Sequence, residues 1–206
     1  MRAMDRKRAF DLVVTVPALL VSLPVQAVVA LAVRATLGSP VLFEQQRPGL
    51  DGVPFTMRKF RTMRPPDPAT GLATDAERLT PFGSFLRSTS LDELPTLWNI
   101  VRGEMSLVGP RPLLVEYLER YSPEQARRHE LRPGLTGLAQ VSGRNATSWE
   151  QRLALDVRYV DEHTLRGDLA IIARTVAAVL RRDGITAEGE VTMPVFLGTP
   201  RQELGS

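Results

Sequence analysis

Two adjacent carboxylates, Asp92 and Glu93, mark the part of the sequence best suited to chemistry. The stretch that they open ends at Arg111, which stands between two prolines. A guanidinium presented in this way can grip a phosphate group through two hydrogen bonds. Paired acids followed by a stiffly held arginine are what a phosphate-transfer enzyme would use, so this stretch is the first candidate for an active site.

The acid pair is predicted to lie at the start of a helix. Apolar residues follow it at helical spacing, and a glycine marks the end: Leu94, Leu97, Trp98, Val101 and Gly103. The positive end of a helix favours carboxylates and also phosphates. Plain helix capping stays open as an alternative, with Asp92 as N-cap or with Ser90 and Glu93 as a capping box.

Composition limits the classes of protein to which the chain can belong. Its 206 residues fit one domain with a core, since 43% are hydrophobic and 24% charged. A net charge of +3 without a polybasic tail does not indicate nucleic-acid binding, but it suits an anionic membrane surface or a phosphorylated substrate. Because there is no cysteine, disulfides, Cys-ligated zinc and a cysteine nucleophile are excluded.

The N-terminal segment is predicted to enter a membrane. Residues 12–33 carry no charged side chain and are long enough to cross a bilayer as a helix. Basic residues flank both ends, which draws both toward the cytoplasm, and Pro24 interrupts the helical hydrogen-bond ladder. We therefore predict a kinked re-entrant helix, with a straight span as the alternative. We predict that residues 1–38 form this membrane unit with its basic flanks, and that residues 39–206 form a catalytic domain on the cytosolic face.

A β-hairpin is predicted for residues 39–63, because alternating apolar residues surround the turn signals Arg47-Pro48-Gly49 and Asp51-Gly52. Its second strand leads into a basic patch that contains Lys59, for which a solvated strand edge is the alternative. Residues 64–77 lack periodicity and are predicted to form a mobile loop, a candidate lid.

The C-terminal half offers a second group of candidate site residues. Residues 131–146 are rich in glycine, which lets backbone approach a ligand, and carry the donors Gln140, Arg144 and Asn145. Ser148 and Gln151 then form a capping box for a helix that contains Asp156, either a satisfied core acid or a site residue. Asp168 is predicted to cap the next amphipathic helix.

These elements predict an α/β fold in a loose, α-rich sense. No alternation of strands and helices indicates a doubly wound sheet. We expect a compact helical domain with a short β-hairpin and an N-terminal kinked re-entrant membrane helix.

The ordered motifs of the chain resemble those of the monotopic phosphoglycosyl transferases, also called the bacterial sugar transferase family. The resemblance runs from about residue 7 to about residue 198 and is carried by RPG, KFRTM, SLDELP, GEMSLVGPRP, RPGLTGLAQVSGRN and DVRYV. It implies transfer of a phosphosugar from a UDP-sugar to polyprenol (undecaprenyl) phosphate with release of UMP, as the first membrane step of glycoconjugate or polysaccharide assembly. It also implies a location on the cytoplasmic face of the cell inner membrane, with the bilayer as a partner.

The resemblance assigns roles to individual residues. Asp92 matches the family's nucleophile, and Glu93 matches the partner acid associated with Mg²⁺. Lys59 and Arg87 match basic positions near the phosphates, Arg111 the arginine of the family's Pro-Arg-Pro motif, and Arg144 the arginine of its glycine-rich binding loop. The candidate substrate-binding residues are these four together with three from the reading of the residues themselves: Gln140, Asn145 and Asp156. The family's helix break contains Ser-Pro, whereas this chain has Leu23-Pro24 with Ser22 one residue earlier.

General chemistry agrees with this assignment. A carboxylate nucleophile divides one exchange between a soluble donor and a lipid acceptor into two steps. Mg²⁺ prefers one or two carboxylates together with substrate phosphates, and cations stabilise the developing charge. Two alternatives remain: a membrane-bound glycosyltransferase that releases UDP, and a membrane adaptor without catalysis. The sequence leaves the oligomeric state open, with a homodimer as one possibility.

Overall fold

A computed structural model describes residues 3–67, 69, 71–72, 74–142, 148–181 and 195–198. Within these ranges the fold is rich in helix and contains two small sheets, which confirms the predicted fold class. The helices are α1 Ala3–Leu37, α2 Asp75–Arg78, α3 Pro81–Ser88, α4 Thr96–Arg102, α5 Pro123–Ala126, α6 Leu138–Val141, α7 Trp149–Glu162 and α8 Leu165–Arg181. The strands are β1 Leu42–Pro48, β2 Pro54–Phe60, β3 Ser106–Val108 and β4 Gly134–Thr136.

Helix α1 has the distribution of polar and apolar residues expected of a helix in lipid. It is long and apolar enough to cross a membrane, and it continues through both Pro17 and Pro24. Nine large apolar side chains between residues 13 and 31 are exposed, while Asp11 and Thr15 are buried against the rest of the protein. An apolar surface of this extent is unusual on a protein surrounded by water.

Local hydrogen bonds surround Pro24, which cannot donate to the carbonyl four residues earlier. The Ser22 hydroxyl donates to the Leu19 carbonyl oxygen at 2.9 Å, and Gln26 Nε2 donates to the Ser22 hydroxyl at 2.9 Å. Ser22 therefore supplies side-chain hydrogen bonding next to the proline, although it does not directly precede it.

Both ends of α1 are fastened to the same domain. At its N-terminal end, Arg8 donates to the Ile100 and Val101 carbonyl oxygens of α4, at 2.6 and 2.9 Å. At its C-terminal end, Val29 and Val33 pack in a core cluster that includes residues of β2 and α3. Helix α1 therefore lies along the rest of the domain and is part of its core.

The predicted β-hairpin is confirmed. Strands β1 and β2 pair antiparallel with Arg47 opposite Phe55, and residues Leu50–Gly52 form the turn. Asp51 and Gly52 have positive φ values of 55° and 74°, which suits a short acid followed by a glycine. The turn residues in the sequence were therefore sufficient to locate this element.

The segment predicted as an irregular loop contains more order than expected. Helix α2 overlaps its C-terminal end, and Thr74 caps this helix through a capping box with Glu77. An isolated bridge between Met63 and Leu79 closes the base of the segment. The prediction of a mobile lid stays a prediction.

A short parallel pair, β3 and β4, was not predicted. Its backbones approach closely beside Gly109 and Gly134, since a Cβ on Gly134 would lie 2.1 Å from the Gly109 nitrogen. Glycine is required here by space, and the contact fixes the chain that follows β3.

Helix α7 begins as predicted, with the Ser148 and Gln151 capping box. The prediction for Asp168 was wrong, because α8 begins at Leu165 and Asp168 lies inside its first turn. Its buried carboxylate binds Lys7 Nζ at 2.7 Å and lies 2.6 Å from the Tyr159 hydroxyl. The pair with Lys7 thus links α8 to α1.

Candidate active site

The acid pair lies in a single 3-10 turn, Leu91–Glu93, directly before α4. Ser90 has a left-handed backbone, with φ 57°, and its side chain makes no capping hydrogen bond. The alternative of a Ser90–Glu93 capping box is therefore wrong. The predicted helix itself is confirmed, because α4 ends at Gly103 with φ 84°.

Asp92 is buried, with 8% of its surface exposed. Among the described residues, none donates a hydrogen bond to its carboxylate. Burial, followed by the charge of Glu93, raises its pKa to about 6, against the opposing charges of Lys59, Arg87 and Arg111. Buried carboxylates are normally hydrogen-bonded, so this one is exceptional in having its lone pairs available. At pH 7 it is still mostly ionised.

The Glu93 carboxylate, unlike that of Asp92, is paired with cations. Lys59 from β2 forms a close ion pair with Glu93 Oε1, and Arg111 Nη2 lies 3.6 Å from the same oxygen. Burial raises the pKa of Glu93, but the charges of Lys59 and Arg111 outweigh that effect and lower it to about 2. The two neighbouring acids therefore have pKa values that are driven apart, which is a common property of catalytic sites.

Arg87 reaches this site from the last turn of α3. Its Nε donates to Thr62 Oγ1 at 3.1 Å, and its charge acts on Asp92. The structure thus brings together five of the predicted site residues: Lys59, Arg87, Asp92, Glu93 and Arg111.

Two buried polar residues of α4, Thr96 and Asn99, hold β2 against the acid pair. Thr96 Oγ1 donates to the Arg58 carbonyl oxygen at 3.0 Å. Asn99 Nδ2 donates to the Thr56 carbonyl oxygen at 2.7 Å, and its Oδ1 accepts the Arg58 N–H at 3.3 Å. These bonds fix Lys59, the next residue on β2, beside Glu93. Sequence reasoning missed both residues, although a polar Asn among the helically spaced apolar residues was a usable signal.

Arg111 is presented by the turn that follows β3. Two hydrogen bonds to β4 hold the backbone just before Arg111. The Gly109 N–H donates to the Thr136 carbonyl oxygen at 2.9 Å, and the Gly134 N–H donates to the Pro110 carbonyl oxygen at 3.0 Å. The Arg111 side chain itself is 42% exposed. A rigid backbone with an accessible side chain suits a ligand-binding arginine.

Asp156 is connected to the Arg111 backbone through Arg128. It is buried in an ion pair with Arg128 Nη2 at 2.6 Å, and the same Nη2 donates to the Arg111 carbonyl oxygen at 2.6 Å. This geometry favours the alternative of a satisfied buried acid, because the Asp156 carboxylate is enclosed. Arg128, which carries the connection, was not singled out in the sequence.

The glycine-rich stretch is only partly described. Gln140 lies on α6, where its Nε2 donates to the Leu135 carbonyl oxygen at 3.2 Å and its Oε1 is enclosed without a partner in the described part of the chain. Among the described residues, neither a hydrogen bond nor an ion pair joins Gln140 to the acid pair. Arg144 and Asn145 lie outside the described residues.

The acid pair offers a partial ligand set for Mg²⁺. The described ranges contain no cluster of three or more metal-binding side chains. Both cations approach Oε1 of Glu93, which leaves Oε2 available for an ion completed by substrate phosphates and water. Mg²⁺ is often bound in this way. The donor set therefore fits, with Glu93 as the protein ligand.

Comparison with known proteins shows the family. The profile of the bacterial sugar transferase family matches residues 2–182. The chain is 48% identical over 194 residues to a protein of Bacillus subtilis named uncharacterized sugar transferase EpsL, and the alignment covers 94% of this chain and 96% of that protein. The chain therefore belongs to the bacterial sugar transferase family, as its motifs suggested.

Other relatives have more specific names. The UDP-glucose:undecaprenyl-phosphate glucose-1-phosphate transferase of Caulobacter vibrioides is 45% identical, with 86% of this chain and 71% of that protein aligned. The undecaprenyl-phosphate galactose phosphotransferase of Salmonella typhimurium is 38% identical, and this chain matches 41% of its length. The chain thus corresponds to nearly all of the shortest of these three relatives and to one part of the longest.

Proposed function

We propose that this protein transfers a phosphosugar from a UDP-sugar to polyprenol phosphate in two steps, through a covalent intermediate on Asp92. The observation that carries the proposal is the position of that carboxylate: it is buried, receives no hydrogen bond from the described residues, and lies within reach of the charges of Lys59, Arg87 and Arg111. The names of the relatives support the donor and acceptor classes.

In the first step an Asp92 oxygen attacks the phosphorus that carries the sugar. A bond forms between this oxygen and phosphorus, and the bond from phosphorus to the bridging oxygen breaks, so that UMP leaves with the electron pair. Lys59, Arg87 and Arg111 stabilise the negative charge on the phosphate under attack. A bound Mg²⁺, held by Glu93, would neutralise further phosphate charge.

In the second step a phosphate oxygen of the polyprenol phosphate attacks the same phosphorus. The acyl phosphate bond breaks, the Asp92 carboxylate is regenerated, and polyprenol diphosphate sugar is the product. Because UMP leaves before the lipid reacts, donor and acceptor can use one small site in turn.

We also propose that the protein lies on the cytoplasmic face of the inner membrane, with α1 entering and leaving on the same side. A straight helix of 35 residues is about 50 Å long, which exceeds the hydrocarbon thickness of a bilayer. Since the domain contacts α1 near Arg8 and again near Val33, a straight span would draw part of the catalytic domain into the lipid. Entry from one side avoids that cost.

The test is single-turnover chemistry with the donor alone. The full-length protein is mixed with a panel of UDP-sugars without lipid acceptor, and released nucleotides and the intact protein mass are measured. We expect about one UMP per active site and a phosphosugar adduct. Asp92→Asn should give neither, because an amide is a poor nucleophile, whereas the control Asp51→Asn makes the same change at an exposed turn and should behave as wild type.

Each other outcome identifies a different mechanism. Release of UDP would show sugar transfer without its phosphate. UMP that appears only after lipid is added, with no adduct, would show direct transfer and make Asp92 a metal ligand. No turnover with any donor, even with lipid present, would favour the membrane adaptor.

A further inference from the structure

Phe196, near the C-terminus, is a buried residue to which the proposed mechanism gives no role. Only 2% of its surface is exposed, whereas its neighbour Leu197 is 85% exposed. Hydrogen bonds hold the backbone of Phe196 on both sides. Its N–H donates to the Tyr117 hydroxyl at 3.1 Å, and its carbonyl oxygen accepts a hydrogen bond from Arg120 Nη1 at 2.5 Å. Residues 195–198 are therefore docked on the domain through Phe196.

The Phe196 side chain fills an aromatic pocket. Its ring stacks on that of Tyr121, with the ring centres 5.7 Å apart and an angle of 25° between the planes. The ring centres of Tyr117 and Trp149 lie 5.6 and 5.3 Å from that of Phe196. Aromatic pairs of this kind stabilise beyond the burial of surface alone, so the Phe196 ring helps to order the residues that it touches.

The aromatic pocket is connected to Arg111 by two routes. Leu113, two residues after Arg111, packs in the same buried cluster as Phe196. The second route passes through Tyr121, whose hydroxyl accepts a hydrogen bond from Arg128 Nη1 at 3.3 Å. Arg128 Nη2 in turn donates to the Arg111 carbonyl oxygen at 2.6 Å. A series of direct contacts therefore joins the C-terminal segment to the Arg111 backbone.

The position of Tyr121 depends on side-chain packing. Tyr121 lies outside the helices and strands, directly after the 3-10 helix Val115–Arg120. Its ring is covered by Phe196 and by the Arg128 guanidinium, which lies 5.6 Å from the ring centre. Arg128 is also paired with Asp156. Loss of the Phe196 ring should therefore leave that buried ion pair in place while it loosens the hold on Arg111.

We infer that Phe196 is a positioning residue for phosphosugar transfer, which acts through Tyr121 and Arg128 to keep Arg111 where it stabilises the phosphate under attack. This inference rests on the proposed function. The hydrogen bonds to β4 hold the backbone before Arg111, and the Phe196 pocket holds the backbone at Arg111 and after it. Because contacts to a transition state are sensitive to displacements of about 1 Å, an arginine that loses one of these supports should stabilise the reacting phosphate less.

The test compares the rate of UMP release with its amount. The full-length protein is mixed with the UDP-sugar that wild type uses, without lipid acceptor, and UMP is followed by rapid quench. In Phe196→Ala we expect the rate to fall about tenfold or more, because a displaced arginine weakens transition-state binding. About one UMP per active site should still form, since Asp92 is unchanged. Leu197→Ala is the matched control, because it removes an exposed apolar side chain at the next position, and it should behave as wild type.

A double variant shows whether the effect passes through Arg111. Added to Arg111→Lys, Phe196→Ala should slow UMP release by less than about threefold, because the contact that Phe196 positions is already lost. A further loss of about tenfold in that background would show that Phe196 acts elsewhere and would overturn the inference.

The remaining outcomes separate this inference from the proposed function. A wild-type rate in Phe196→Ala would overturn the inference and leave the function standing. A wild-type rate with a reduced amount of UMP would do the same, since it would mean that only the folded fraction has changed. A wild-type protein that releases no UMP would overturn both. If Phe196→Ala does not fold, Phe196→Leu keeps apolar volume without the stacked ring, so its rate should fall by a smaller factor, and a wild-type rate there would also refute the inference.

Discussion

Replacing Asp92 by Asn should stabilise the protein while it abolishes catalysis. Burial and the neighbouring Glu93 raise the pKa of Asp92 from 3.8 to about 6. A shift of this size corresponds to about 3 kcal/mol of destabilisation of the ionised folded state. Asparagine has nearly the same shape and no charge, so it avoids this cost. For a chain of this length, about 3 kcal/mol corresponds to a rise in Tm of roughly 6–12 °C as an upper bound.

The stability gained by Asp92→Asn should depend on pH. Because the folded protein holds the Asp92 proton more tightly than the unfolded chain does, wild-type stability falls as pH rises from 3.8 through about 6. The penalty is complete above that range and absent below it. The advantage of Asp92→Asn should therefore be largest at pH 7.5 and should shrink toward pH 4.

Thermal unfolding of detergent-solubilised protein at several pH values measures the effect, with Asp51→Asn as the control at an exposed site. An Asp92→Asn variant that melts at or below the wild-type temperature at pH 7.5 would refute the reasoning. So would a stabilisation that does not change with pH. Either result would mean that Asp92 is a satisfied structural acid, as a helix cap would be.

Three further predictions concern other parts of the molecule. Arg111→Lys should lose most turnover and keep its Tm, because an ammonium cannot reproduce the two-bonded grip on phosphate; near-normal turnover would make Arg111 structural. Single cysteines at Ala3 and Ser39 should be labelled from the same side of sealed inverted vesicles, whereas labelling from opposite sides would establish a single span. Lys7→Met should destabilise the folded protein by about 3 kcal/mol, because it leaves the buried Asp168 carboxylate without its cation. Adding Asp168→Asn should restore part of the lost Tm, and a double variant that melts at the same temperature as Lys7→Met would contradict this prediction.

The sequence was sufficient where structure depends on neighbouring residues. The hairpin follows from turn residues within a few positions of each other, and the start of α7 follows from Ser148 and Gln151. The Ser90–Glu93 capping box failed for an equally physical reason. Lys59 and Arg111 bind the Glu93 carboxylate more strongly than a backbone N–H would, and neither is close to it in sequence.

The rest depends on contacts between distant segments. The pairing of β3 with β4 involves strands of three residues, too short to show a period of two. Arg128 meets Asp156 across 28 positions, and Lys7 meets Asp168 across 161. The residues next to Lys7 in sequence gave no sign of this buried partner, because a basic residue before an apolar segment is already explained by its effect on membrane orientation.

The way α1 is fastened has a consequence for how the protein can be divided. Most single membrane anchors are modular, so that removing them releases a soluble domain and exchanging them preserves function. Here Val33 is fully buried beside Phe60 and Leu86, and the Asp11 carboxylate accepts the Leu107 N–H of β3. A chain cut after residue 38 would expose this core to water and leave a strand next to Arg111 without its support. Helix α1 and the rest of the domain are thus one folding unit, and in the proposed membrane arrangement detergent or lipid is part of the solvent in which that unit is stable.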